Sequence, residues 1–252
     1  IAEAFLGGHG SQFVAQVSLA NSGSLYKAIL DGLCYRGTAF FQVYTTCQPE
    51  HGVPDYASQQ QALSVRDSRG VPEFIFNPQL GESFKESLNI KGNPNYKGDW
   101  FIQTAPVTKK GYVFTTAHWA FTEARFRLHH KIVKEEDLGD KIRLEDLLQL
   151  ITQDDVVHRR FLDATHRSYI PDFGVYTIDH KENGNTEIHL VSRQMVLFCV
   201  ERRKAWRMMQ SRAGIENEDY LAQKELLRKI DKGELSRKDY LKEKTTKAEL
   251  HE

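Results

Sequence analysis

The sequence predicts an α/β fold: a parallel-sheet domain, then a helical region that carries one β-hairpin. Three observations predict it. Two apolar, strand-like runs occupy residues 13–19 and 39–44. Between them an apolar residue recurs every four positions, at Leu25, Ile29 and Leu33. Far downstream, Asn183-Gly184 separates two alternating runs, the signal of a tight hairpin turn.

The first run, Phe-Val-Ala-Gln-Val-Ser-Leu, has the β-branching and apolar content of a strand. Asn21 or Ser22 can cap the helix that follows, and Leu25, Ile29 and Leu33 give it one apolar stripe ending near Gly37. The second run, Ala-Phe-Phe-Gln-Val-Tyr, is almost continuously apolar, as a fully buried strand is. Strand, helix, strand in this length is a right-handed βαβ unit with parallel strands. Asp55 can cap a further helix over 56–69, and Glu73–Asn77 reads as a third strand closed by Pro78. Residues 1–80 therefore form the α/β domain.

Residues 81–112 are rich in Gly, Asn, Pro and Lys and lack periodicity. They read as an irregular insertion that wraps another surface, since so long a loop is usually functional or docked. Residues 113–252 read as a helical extension. Ala120, Ala124 and Leu128 share a stripe, with Phe121 beside it. A second helix covers about 143–166, with Leu147, Leu148, Ile151 and Phe161 facing the core. The hairpin falls at 173–191, a helix spans Ser192 to about Arg212, and a charged helical tail follows. Its sparse apolar points, from Leu221 to Leu250, suit a surface helix or an arm packed on another subunit.

Lysine plus arginine equals aspartate plus glutamate at 34 each, so no global field draws the protein to nucleic acid or an acidic membrane. No apolar run approaches the ~20 residues that span a bilayer. The opening residues have no targeting character, and a first residue of Ile1 leads us to expect a piece of something longer. Three cysteines, Cys34, Cys47 and Cys199, are widely spaced and odd in number. That pattern argues against a disulfide framework and for a reducing, cytoplasmic compartment.

Ligands of open parallel sheets sit at the carboxyl ends of the strands. Here the second strand runs into Thr45-Thr46-Cys47-Gln48-Pro49-Glu50-His51-Gly52, the segment richest in reactive side chains. On the residues alone, Cys47 reads as a packed free thiol, and Cys34 and Cys199 read the same way. Other histidines give little. His129-His130 on a helix would point about 100° apart, and His158 and His166 lie too far apart for a His-x-x-x-His chelate. His180 and His189 are placed to oppose one another across the hairpin. Gly7-Gly8-His9-Gly10 lacks the Lys-Ser/Thr of a phosphate loop and reads as a connector.

The run FVAQVSL at 13–19, YTTCQPEHG at 44–52 and EFIFNP at 73–78 resembles the end of the thiamine-diphosphate domain in pyruvate:ferredoxin oxidoreductases. That family has strands of the types YVATVSM and PLFRYDP on either side of a loop ATCINQG. The Thr-Cys and the following glycine match, and the gap between them is one residue longer here. The resemblance implies a thiamine-diphosphate-binding-like domain, of which residues 1–80 are the C-terminal part. It places on Cys47 the role of last ligand to a [4Fe–4S] cluster, and the amides of a strand-end loop suit a thiolate. Thr46, Gln48 and His51 then read either as donors to the cluster sulfurs or as ordinary loop polar groups.

The implied function is oxidative decarboxylation of pyruvate or a related 2-oxoacid, with coenzyme A as acyl acceptor and ferredoxin or a similar protein taking the electrons. The family's other three cluster ligands lie upstream of this segment, as does the Gly-Asp-Gly…Asn pattern that holds Mg²⁺ and thiamine diphosphate. This sequence contains neither. Other subunits, or the rest of the same polypeptide, must supply them, and the catalytic residues with them. The alternative is a non-catalytic assembly subunit with a degenerate thiamine-type fold.

Overall fold

A computed structural model describes residues 1–6, 10–151 and 170–236. It is a mixed α/β protein whose strands form three small sheets. Two compact units are present: Ile1–Leu128 with Arg202–Asn217, and His129–Glu201 with the segment from Glu218 onward.

The first unit begins with a short helix α1 (Ala2–Leu6), then β1 (Phe13–Ser18), α2 (Ser22–Cys34) and β2 (Ala39–Tyr44). β1 and β2 pair in parallel, from Phe13↔Ala39 to Ser18↔Tyr44, as the βαβ pattern requires. Asn21 is the cap: its side chain accepts from the Ser24 amide at 3.0 Å, satisfying a helix-end donor. β3 (Phe74–Phe76) adds to the other side of β1, but antiparallel, and β4 (Leu88–Asn89) pairs antiparallel with β3. The sheet, ordered β2-β1-β3-β4, is therefore mixed rather than parallel throughout.

Every residue of β1 is buried, because both faces of the strand are covered. Phe13, Ala15 and Val17 pack toward α2 with Ala28. Val14 faces the opposite side, in a core of Ala2, Leu6, Phe74, Phe76, Ile90, Trp206 and Met209. Alternation along one strand thus serves two layers.

The stripe expected on α2 holds at Leu25, which packs against the β1 core, and fails beyond it. Ala28 and Gly32 are the residues that α2 buries, whereas Ile29, Leu30 and Leu33 are exposed, Leu33 to 73%. Close approach decides this. A Cβ on Gly32 would stand 2.3 Å from the Phe41 ring, so no larger residue fits at that position. The aromatic rings of the sheet supply the bulk that the helix would otherwise bring. Cys34, at the end of α2, is exposed rather than packed.

α4 (Ser58–Asp67) leads toward β3. Glu73, just before that strand, is buried. It accepts from Ser18 Oγ at 2.7 Å, and its own amide donates to Asn93 Oδ1 at 2.9 Å. Burial pushes its carboxyl above the usual range, partly opposed by the Ser18 bond. A raised carboxyl pKa favours the folded state below the unfolded value and loses that contribution as pH rises through the folded one. We expect Glu73→Gln to flatten this part of the pH–stability curve, read by urea unfolding from pH 4 to 8. An unchanged slope would count against the assignment.

The stretch after Pro78 is less irregular than its composition predicts. It holds α5 (Phe84–Ser87), β4, and a hairpin of β5 (Phe101–Thr104) and β6 (Gly111–Phe114). Its middle docks on the protein's own long helix, Arg193–Arg212. Trp206 Nε1 donates to Gly98 O at 2.8 Å, and Arg207 Nε meets Asp99 Oδ1 at 2.7 Å. Beyond β6, the helix expected through Leu128 lasts only for α6 (Thr116–Ala120), and a 3-10 segment (Ala124–His129) follows. Ala120 is buried, but Ala124 and Leu128 are exposed, so their stripe does not form. Between the two pieces Glu123 turns inward.

The second unit is built on a sheet ordered β7-β10-β9-β8. β7 is His130–Val133, β8 Ile142–Arg143, β9 Val175–His180 and β10 Thr186–Val191. The hairpin matches its sequence signal, with Gly184 in the left-handed region at φ 87°. β8 joins β9 in parallel. α7 (Leu144–Leu150) buries Leu147 and Leu148, and Ile151 follows them into the core. The rest of that expected helix, including Phe161, His158 and His166, lies outside the described residues, as do Gly7-Gly8-His9, Leu241 and Leu250. The helix Glu218–Asp231 is tied to α7 through Gln223 Nε2, which donates to Ile151 O at 2.9 Å. Among the described residues, no helix is long and apolar enough to cross a membrane.

Candidate functional site

β2 ends at Tyr44, and the chain turns through Thr45 and Thr46 into a single helical turn, α3 (Gln48–His51). Cys47 stands at the N-terminal boundary of that turn in an extended conformation, φ −105° and ψ 105°. Its carbonyl accepts from the His51 amide at 2.9 Å, which fixes the backbone. Its thiol is exposed. The turn closes on Gly52 in the left-handed region, φ 65°, where a Cβ would come within 2.5 Å of the Ala124 Cβ. Both the conformation and the space require glycine there.

The neighbours of Cys47 divide between the interior and the loop itself. Thr46 is buried, its Oγ1 lying 2.9 Å from Ser58 Oγ at the start of α4. Gln48 is half-buried and reaches the same hydroxyl at 3.4 Å, a longer contact. The two side chains thus fasten the loop to α4. His51 is buried, with its Nδ1 3.2 Å from Glu123 Oε1 but not aligned for a hydrogen bond, and its ring tilts against that of Tyr44.

Sequence reasoning missed Glu123, which organises this region. Its carboxylate is buried. Oε1 accepts from Gln61 Nε2 at 2.8 Å and from the Tyr44 hydroxyl at 3.2 Å, and Oε2 accepts from Arg125 Nε at 2.5 Å. Burial, and then the Glu123 charge, push the Tyr44 phenol well above its ordinary pKa, so Tyr44 stays a neutral donor. The sequence held only a faint signal: a Glu two residues before an Arg, set among Phe121, Ala124 and Phe126. The arrangement sets an exposed cysteine on a hydrogen-bonded turn whose His51 lies against a buried, charge-compensated carboxylate. It contains no second cysteine from the same loop.

A second group lies on the hairpin sheet. His180 opposes Thr186, and His189 opposes Thr177, so the two histidines do not face one another. His189 instead meets His130 on β7, with Nδ1 to Nδ1 at 3.1 Å. His130 is in a strand, and His129 sits apart with Nδ1 3.0 Å from Ser192 Oγ, so the adjacent pair does not act as one ligand set. Beside His189 stand Glu187, with Oε2 at 3.3 Å from His189 Nε2, and Asp179 across the hairpin. Lys181 Nζ lies 2.7 Å from Asp179 Oδ2 and 2.9 Å from Glu187 Oε2. Burial and the neighbouring His130 lower the His189 pKa to about 4. Cys199 is buried in the long helix and packs as expected.

No family model matches the chain, and no curated protein matches it.

Proposed function

We propose that this chain is part of a thiamine-diphosphate, iron–sulfur 2-oxoacid:ferredoxin oxidoreductase, with Cys47 as one thiolate ligand of a [4Fe–4S] cluster. The observation that carries the reading is the exposed Cys47 thiol on a backbone-locked turn at the carboxyl end of a parallel strand. An exposed cysteine on a hydrogen-bonded turn suits a ligand to a cluster shared with other polypeptide.

The surroundings agree with a domain completed elsewhere. β2, whose continuous apolar run predicts full burial, is instead the end strand of its sheet, and none of its residues is buried. α2 exposes Tyr26, Ile29, Leu30 and Leu33 beside it. An open strand edge flanked by apolar side chains is a surface that further strands and helices cover. Mg²⁺ and thiamine diphosphate would be held by residues outside this chain. The thiamine supplies the carbanion chemistry of decarboxylation when bound. The part of this chain is to hold Cys47. Thr46 and Gln48 anchor its turn to α4, and Gly52 lets the turn close against Ala124.

The test is the anaerobically purified complex. A brown iron–sulfur absorbance is expected, and Cys47→Ser should remove or strongly diminish it while Cys34→Ser leaves it unchanged. A complex that stays colourless after full reconstitution with iron and sulfide would overturn the reading.

A further inference from the structure

We infer that the hairpin sheet of the second unit carries a binding site for a divalent transition-metal ion of the zinc class, formed by Asp179, Glu187 and His189. The site uses no residue of the Cys47 turn. One ligand atom from each of the three side chains lies within 4.8 Å of the others, the spread that a single ion can bridge.

Strand geometry brings them together. Asp179 on β9 is the register partner of Glu187 on β10, and His189 is two residues further along the same strand, so all three project from one face. The ligand types select the ion. Two carboxylates and an imidazole, with no thiolate, suit Zn²⁺ or Co²⁺, and the buried imidazole nitrogen is a donor that hard ions such as Mg²⁺ and Ca²⁺ seldom use. Three protein ligands also leave a coordination position open for water or an exogenous group.

Two features distinguish this group from a chance cluster of acids. His189 is only 2% exposed, and its Nδ1 meets His130 Nδ1 at 3.1 Å. When His189 donates its Nδ1 proton to His130, the Nε2 lone pair faces Glu187, which is the tautomer and orientation that a metal-binding histidine takes from its outer partner. The Lys181 ammonium also sits between the two carboxylates, so the structure already places a cation at their meeting point. Lys181 is half-exposed on a flexible stem and can swing into solvent. Lys181 and the metal ion then compete for the same pair of acids.

The experiment is titration of the full chain with Zn²⁺ by calorimetry and with Co²⁺ by visible spectroscopy. One ion per chain is expected, giving Co²⁺ ligand-field bands without a thiolate charge-transfer band. His189→Gln should weaken binding by about tenfold or more. Lys181→Met should tighten it, and Zn²⁺ should raise the unfolding midpoint of that variant more than it raises the wild type's. The Lys181→Met gain cannot come from misfolding, so it guards the test against a His189 variant that folds poorly. Cys47→Ser should leave the titration unchanged. Co²⁺ binding that survives His189→Gln, a thiolate band that vanishes with Cys47→Ser, or no tightening in Lys181→Met would each overturn the site.

Discussion

Trp206→Ala is expected to destabilise the first unit by roughly 3–5 kcal/mol, the range for deleting a fully buried aromatic side chain. Trp206 is wholly inaccessible and packs in the core with Val14, Phe74 and Ile90. Two further interactions go with it. Its Nε1 donates to Gly98 O at 2.8 Å, and the Arg69 guanidinium lies 4.3 Å from its ring centroid. Arg69 is itself buried and anchored by the backbone oxygens of Pro94, Asn95 and Asp99. Burial pulls its pKa down to about 9, still above neutrality, so it remains a cation in need of its aromatic partner. Trp206→Phe separates the contributions. It keeps much of the packing and loses the N–H, and a smaller loss of about 1–2 kcal/mol is expected. Urea unfolding followed by circular dichroism measures both. Equal losses for the two variants would show that the hydrogen bond, not the packing, dominates.

Glu123→Ala should destabilise the same unit by about 3 kcal/mol, because removing one member of a buried charge pair leaves its partners uncompensated. Tyr44 and Arg125 would lose this acceptor, and Gln61 Nε2 would keep only Thr122 Oγ1. Arg125 is partly exposed and can turn to water, which keeps the figure at the lower end of the range for buried pairs. Glu123→Gln retains the shape and one acceptor oxygen, and should recover about half of the loss. The variant also reports on the Cys47 turn, since His51 lies against Glu123. A Glu123→Ala protein as stable as wild type would mean that water replaces the carboxylate at no net loss.

Much of the local architecture was legible from residue pattern. β1, α2 with its Asn21 cap, β2, the hairpin at 175–191 and the helix Arg193–Arg212 fall where apolar runs, a capping side chain and an Asn-Gly turn put them. These signals are local, so the chain expresses them before it packs. The phase of α2 was not legible. An apolar count favours Leu33, but the 2.3 Å clearance at Gly32 puts the closest approach one position earlier, and that clearance depends on Phe41 in the partner strand. The direction of β3 was equally hidden, because strand composition does not encode which way a strand runs.

The two sites divide along the same line. Cys47 could be placed at a strand end because a parallel βαβ unit sets where its loops emerge, and the sequence alone determined that unit. That Cys47 is exposed, while Thr46 and His51 turn inward, depends on Ser58, 12 positions from Thr46, and on Glu123, which meets His51 from far along the chain. The Asp179–Glu187–His189 group was decided wholly by tertiary structure. Its members look unrelated along the chain, and spacing alone pairs His180 with His189. Strand register pairs His180 with Thr186 instead, and the added strand β7 brings His130 across 59 positions. Short-range periodicity fixes which residues form strands and turns. Register and strand order, set by global packing, decide which side chains meet.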